Sequence, residues 1–333
     1  MITITPHPSE KIHHAVPKAK VIKAFSRFLA KKSLLTEAEQ LRVFESDALA
    51  VYHCLPWLVV LPETVEQVQQ VLKYCYQQGI PVVARGAGTG LAGGAIPLDN
   101  GVLLSLAKFN QILEIDTANR FARVQTGVRN LAISQAVAQY GLYYAPDPSS
   151  QIACTIGGNV AENSGGVHCL KYGLTTHNIL RLKMLTMEGE LVTIGSHALD
   201  SAGYDLLALM TGSEGMLGVI VEISVKLLPL PEKAQVIMAA FDSIEKAGDA
   251  VAAIIAAGFI PAGLEMMDKA AIKAVEDFLQ VGYPLEAEAI LLCEVDGSSA
   301  QVADELQQAF EVLKGQGAIS VEIAESEAQR QKM

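Results

Sequence analysis

The sequence predicts an α+β fold in two parts, and three observations lead to it. A strand-helix-strand pattern runs over residues 58–84, glycine-dense segments recur at 85–94, 155–166 and 211–218, and strands and helices alternate regularly beyond Pro231. A length of 333 residues allows two domains, each able to bury a core.

Taken in order, residues 1–50 read as a helical lead-in, with helical spacing over 21–32 and 36–44 and a break near Ser33. Residues 58–61 form a short β-like run that ends at Pro62. Thr64 then caps an amphipathic helix over 65–78, with Val65, Val68, Val71, Leu72 and Cys75 on one face. Gly79 stops that helix, and 80–84 reads as a second buried strand. Further strands are expected at 102–105, 112–116, 121–126, 179–186, 190–194 and 219–228, with a helix over 130–139. Pro229 and Pro231 mark a boundary, so 51–230 is one expected domain and 231–333 another. Past it, strands at 236–241, 262–267, 289–296 and 318–323 alternate with helices over 243–257, 269–281 and 299–316. That order suggests a ferredoxin-like sheet.

Bulk properties narrow the function. Half of the residues are apolar, 18% are charged, and the net charge is −11. A general attraction to nucleic acid or an anionic membrane is therefore not expected. Cys54, Cys75, Cys154, Cys169 and Cys293 form no C-x-x-C pair, which argues against a disulfide framework or an iron–sulfur or zinc site and for free thiols. No secretory signal and no apolar run of ~20 residues are visible, so a cytoplasmic chain without a membrane span is expected.

The chemistry lies in the glycines. Residues 85–94, Arg-Gly-Ala-Gly-Thr-Gly-Leu-Ala-Gly-Gly, carry five glycines in ten positions directly after a strand. In a helix each would cost about 1 kcal/mol against alanine, so regular structure does not explain them. Glycine lets main-chain N–H groups turn inward around an anion. Charge-assisted bonds from such groups are worth roughly 1.5–3 kcal/mol each, enough for a few to hold a pyrophosphate against the net negative charge. Arg85 either adds charge there or pairs elsewhere. A tight turn with no ligand is the bland alternative.

Residues 88–93 match G-x-G-x-x-G formally, but Gly94 leads through Pro97 into a turn at 98–101, where no helix can run. A Rossmann-type dinucleotide site is thus rejected, and no Walker motif is present. The second segment pairs Pro146, Asp147 and Pro148 with Thr155, Gly157, Gly158, Asn159, Asn163, Gly165 and Gly166, and is expected to be a long irregular functional loop. The third, 211–220, again places glycines before a strand. Three in one domain suggest the walls of one extended ligand.

These three motifs, in this order and spacing, resemble the FAD-binding domain of the vanillyl-alcohol-oxidase superfamily. Within it the likeness is to the FAD-linked subunit of bacterial glycolate oxidase and to D-lactate and D-2-hydroxyglutarate dehydrogenases, from about Leu58 onward. The resemblance implies a two-subdomain FAD-binding domain followed by a truncated ferredoxin-like substrate domain. It implies that Arg85, Gly86, Ala87, Gly88, Thr89, Gly90 and Leu91 surround the FAD pyrophosphate. Pro146, Asp147, Thr155, Gly157, Gly158, Ala161, Asn163, Ser164 and Gly165 would line the dinucleotide. Glu214, Gly218, Val219 and Ile220 would sit against its adenosine or ribityl side. Covalent members often carry a histidine in the first loop; residues 85–94 have none, so non-covalent FAD is expected.

The implied activity is oxidation of a small 2-hydroxy acid, glycolate or D-lactate, with electrons passing to partner flavin and iron–sulfur subunits or a quinone. Such partners would place the protein peripherally at the inner membrane. Relatives continue beyond position 333, and the substrate-holding arginines and metal-binding histidines of the hydroxyacid dehydrogenases belong to that continuation, so no catalytic residue and no metal ligand is assigned here. A non-catalytic flavin-binding subunit and a reductase of the peptidoglycan-precursor kind are the competing readings. His168 and Tyr172 follow the second motif and either approach the flavin or serve packing; His13 and His14 read as solvated.

Overall fold

The structure is a computed structural model that describes residues 16–198 and 203–330. His13 and His14 lie outside the described residues. The chain forms two compact units: residues 16–144, Pro148–Ser164 and Leu174–Leu228 make the first, and Ala145–Asp147, Gly165–Gly173 and residues 229–330 the second.

The first unit holds a small sheet in which Leu58–Val60, Val102–Ser105 and Val82–Arg85 run parallel, in that spatial order. The helix Val65–Gln78 makes the crossover. The Thr64 hydroxyl caps it by accepting from Gln67 N at 3.3 Å, and Gly79 ends it at φ 63°, as the sequence predicts. Alternation sorts the strands: Leu58, Val60, Val102 and Leu104 face Val68, Val71, Leu72 and Cys75, while Val59 and Leu103 pack with Leu41 on the other face.

The lead-in differs from expectation. Its first helix ends at Phe25, and Leu34–Leu35 is a strand that pairs antiparallel with Val59 and Val60. Burial explains this. Phe25 is fully enclosed, edge-to-face with Phe28 and Tyr74 at centroid distances of 5.8 and 5.4 Å, so the chain turns at once to bring Leu34 to the sheet edge.

A second, antiparallel sheet follows in the order Ile112–Asp116, Phe121–Gln125, Val219–Lys226, Ile179–Leu185, Leu191–Gly195. Ile133, Val137, Ile156 and Val160 cover one face from the helices Asn130–Val137 and Ile156–Glu162. The latter helix corrects the expected irregular loop. It forms despite Gly157 and Gly158 because Ile156 N and Gly157 N donate to Val128 O and Thr126 O, both at 2.8 Å, and Asn163 closes it at φ 50°. Tertiary contacts override weak helix propensity there.

In the second unit the strands lie in the order Gly263–Asp268, Ala289–Gly297, Lys233–Phe241, Ser320–Ile323, every pairing antiparallel. This is the ferredoxin-like arrangement expected, with the helix Lys269–Leu279 added between its second and third strands. Ile237, Ala239, Phe241, Leu291, Cys293 and Val295 face the helices Ile244–Ala256 and Ser299–Gly315. Met238, Ala240 and Ile290 face Ile272 on the opposite side. Cys75 and Cys293 sit in these cores, and burial pushes both thiols up to about 12, so they remain protonated and inert.

Removing the Phe25 ring (F25A) should cost about 3–5 kcal/mol of unfolding free energy, as for a buried aromatic in a core. Chemical denaturation measures it; a loss near zero would show that the lead-in is not part of the first core.

Candidate functional site

Parts of the three glycine segments, residues 86–94, 155–164 and 212–214, meet inside the first unit. Residues 86–101 form neither helix nor strand, as Pro97 and the turn at 98–101 predict. A Cβ on Gly86 would overlap Thr155 Oγ1, and one on Gly158 would lie 3.5 Å from the same oxygen. A Cβ on Gly94 would lie 3.5 Å from Glu162 Oε1. The third segment joins through main-chain bonds of 2.8 Å from Gly212 N to Val160 O and from Glu214 N to Ala161 O. Glu214 holds φ 53° to make that contact, which places it in the left-handed region. Asn163 Oδ1 accepts from Thr176 N at 3.0 Å, and Ser164 O accepts from the Thr175 hydroxyl at 2.7 Å.

Arg85 takes the second of its two alternatives. Its buried guanidinium donates through Nη1 to Ser46 O, Ala95 O and Phe44 O at 2.8, 3.2 and 3.3 Å, and lies 5.8 Å over the Phe44 ring. It ties the lead-in to the loop. Burial lowers its pKa, and the nearby Asp47 carboxylate opposes that shift. Gly88, at φ 73°, packs on this guanidinium, so a valine there would disturb Arg85 before it met any ligand.

Gly157 is also structural. A Cβ on it would overlap Thr126 Oγ1 and stand 2.9 Å from Thr126 O. Val219 and Ile220 bury their side chains in the two cores, and they pair with Leu185 and Met184 on the neighbouring strand. Gly218 has φ 154°, and Leu185 O would be 2.8 Å from a Cβ there. Ala87 and Leu91 are exposed, Thr89 and Gly90 are half-buried, and a Cβ on Gly90 would meet nothing within 4 Å.

Sequence reading missed Thr126 and Asp47. The signal for Thr126 was the strand-end pair Thr126–Gly127, since a Cβ on Gly127 would overlap Leu106 O. Asp47 is buried; its Oδ1 accepts from Leu49 N at 2.9 Å, while Oδ2 has no hydrogen-bond partner. Glu162 is raised by burial first, then by Glu214 and Asp47.

Pro146, Asp147 and Gly165 belong to the second unit. There Asp147 gives both carboxylate oxygens to His168: Oδ1 accepts from the main-chain N at 3.3 Å, and Oδ2 stands 2.6 Å from Nδ1. Its side chain is committed to that pair. His168 and Tyr172 both bond carboxylates of this unit, His168 to Asp147 as above and the Tyr172 hydroxyl donating to Asp296 at 2.6 Å.

Thr155 Oγ1 is the atom that tests for an anionic cofactor. It is buried, has no hydrogen-bond partner, and sits where the Gly86 and Gly158 main chains converge. A buried hydroxyl without a partner is costly and calls for a group to bond. A pyrophosphate approaching these main chains meets that need, so the residues fit FAD.

Comparison with known proteins agrees. A family model described as "FAD binding domain" matches residues 56–195, and one described as "FAD linked oxidases, C-terminal domain" matches 230–333. The chain belongs to the FAD-linked oxidases. It is 56% identical over 324 residues to the glycolate oxidase subunit GlcD of Escherichia coli (strain K12), covering 96% of this chain and 65% of that protein. It is 41% identical to GlcD of Bacillus subtilis (strain 168), over 86% of this chain and 61% of that one. A D-lactate dehydrogenase of Anaerostipes hadrus is 37% identical, over 90% and 65%. This FAD-linked oxidase chain thus spans a little under two thirds of the length of these relatives.

Solved structures share the vanillyl-alcohol-oxidase-type fold. An alkyldihydroxyacetonephosphate synthase superposes with a TM-score of 0.80 at 19% identity, over 94% of this chain and 67% of that one. p-Cresol methylhydroxylase with substrate bound gives 0.79 at 18%, over 94% and 68%.

Two alanine substitutions should separate scaffold from cradle. In G157A the added methyl collides with Thr126 and should cost about 1–3 kcal/mol with or without FAD. In G90A the methyl has room and the φ is ordinary, so Tm without FAD should hold while FAD affinity falls. Thermal melts with and without FAD check both; equal losses of stability in the two variants would refute the distinction.

Proposed function

We propose that this chain is the flavin-binding part of an FAD-dependent 2-hydroxyacid oxidoreductase of the glycolate-oxidase kind, which oxidises glycolate or D-lactate to the 2-oxo acid. The observation that carries the reading is the convergence of residues 86–94, 155–164 and 212–220 in the first unit, combined with 56% identity to a glycolate oxidase subunit along 96% of the chain. FAD supplies the acceptor for the hydride that leaves the substrate α-carbon.

The chain's own part is binding and orientation. Main-chain N–H groups of Gly86 to Gly90 surround the pyrophosphate, and the Thr155 hydroxyl donates to it. Segments 161–164 and 214–220, with Gly157 and Gly158, line the rest. Residues 85–94 contain no histidine, and the flavin is held non-covalently. Electrons leave through a partner redox subunit or quinone, a reading supported by relatives that are themselves named as a subunit. Among the described residues no helix is long and apolar enough to cross a membrane.

Reconstitution tests this. The purified chain mixed with FAD and desalted should retain a flavin spectrum, and glycolate or D-lactate added without oxygen should bleach it. A chain that stays colourless overturns the flavin site. A coloured chain that neither acid bleaches overturns independent turnover and leaves flavin binding alone, while bleaching by NADPH and return of the colour on adding a sugar-nucleotide acceptor points to the reductase.

A further inference from the structure

The strand Ala289–Gly297 changes character along its length. Ile290 and Leu292 lie under the helix Lys269–Leu279, but the same face continues as Glu294 and Asp296. These acids receive the segment Gly165–Gly173, which presents His168, Lys171 and Tyr172 at the i, i+3, i+4 spacing of one helical turn. Asp296 is only 4% exposed; its Oδ1 takes Lys171 Nζ at 2.6 Å and its Oδ2 takes the Tyr172 hydroxyl at 2.6 Å. His168 stands between two carboxylates, with Nδ1 2.6 Å from Asp147 and Nε2 3.6 Å from Glu294. Glu294 also takes Arg330 at 3.1 Å, and Arg330 pairs with Glu327. On the neighbouring strand Gly263 meets Val167, and Glu265 is exposed.

We propose that His168 is a positioning residue for the flavin site, a charged clasp that holds the Pro146–Asp147 segment and the Gly165–Gly166 pair in fixed register on this strand, so that the intervening FAD-lining residues 148–164 are tethered at both ends. Gly166 shows how tight the register is, since a Cβ there would overlap Asp147 O and Oδ1. The clasp needs the imidazolium. Neutral imidazole has one N–H, and with it turned to Asp147 the Nε2 lone pair would face the Glu294 carboxylate. The proton is accordingly held: hydrogen bonding to Asp147 first and Glu294 second pushes His168 up to about 10, against burial.

The sign follows. The folded pKa lies above the unfolded value of about 6.5, so the clasp contributes fully below that pH and fades as pH rises toward 10. Arg330 stays charged across this window, since hydrogen bonding to Glu327 first raises its pKa further. The inference rests on the FAD reading above, and the test keeps the two apart.

The full chain and its H168Q and E294Q variants would be compared by FAD titration (flavin fluorescence) and by thermal melting from about pH 6 to pH 9.5. H168Q should bind FAD about tenfold more weakly near pH 6.5, a difference of about 1.4 kcal/mol. Its Tm deficit without FAD should narrow as pH rises, which a non-titrating packing role would not produce. E294Q keeps the imidazole and loses one acceptor, so fading should begin at lower pH; it carries the test if H168Q does not fold. A Tm deficit independent of pH overturns the clasp. Unchanged FAD affinity overturns its positioning role. A wild-type chain that binds no FAD defeats the flavin reading, and the pH dependence of the Tm deficit still decides the clasp.

Discussion

Main chains in the first unit approach one another more closely than any side chain would allow, and the candidate cofactor site is built on that closeness. Gly86 lies against Thr155, Gly157 against Thr126, and Gly127 against Leu106 and Phe109. Each contact joins segments from different strands or loops, so the glycines bring the ends of two sheets together. What a glycine gives up in conformational entropy is offset by the approach it permits. The same closeness strips water from Thr155 Oγ1 and leaves a buried hydroxyl with no hydrogen-bond partner in the protein.

The glycines therefore divide by role. Gly157 and Gly88 are required by the protein's own packing, against Thr126 and the Arg85 guanidinium. Gly90 has open space around it, which packing does not demand. A single motif thus mixes tightly packed and open positions, and Arg85, its one charged residue, serves the scaffold by gathering three carbonyls. The net charge of −11 supplies no general surplus of cations for an anion, which leaves oriented main-chain dipoles as the means available.

In the second unit, polar chemistry does what glycine does in the first. Alternation along Ala289–Gly297 puts apolar side chains under a helix and then, two residues on, acids under a basic turn. Carboxylates as deeply placed as that of Asp296 are tolerated because each oxygen has a donor.

The sequence by itself determined the fold class, the capped helix Val65–Gln78, the ferredoxin-like order and the rejection of a Rossmann site, because periodicity, caps and the Pro97 turn are local signals. It also marked the three glycine segments. Tertiary structure alone decided the rest. Ile156–Glu162 is a helix because Thr126 and Val128 offer it carbonyls, Leu34–Leu35 is a strand because Phe25 must be buried, and Asp147 turns to His168 rather than outward. None of these partners lies within a few residues of the group it directs. Local propensity states only what a segment can do; distant carbonyls, cores and countercharges decide what it does.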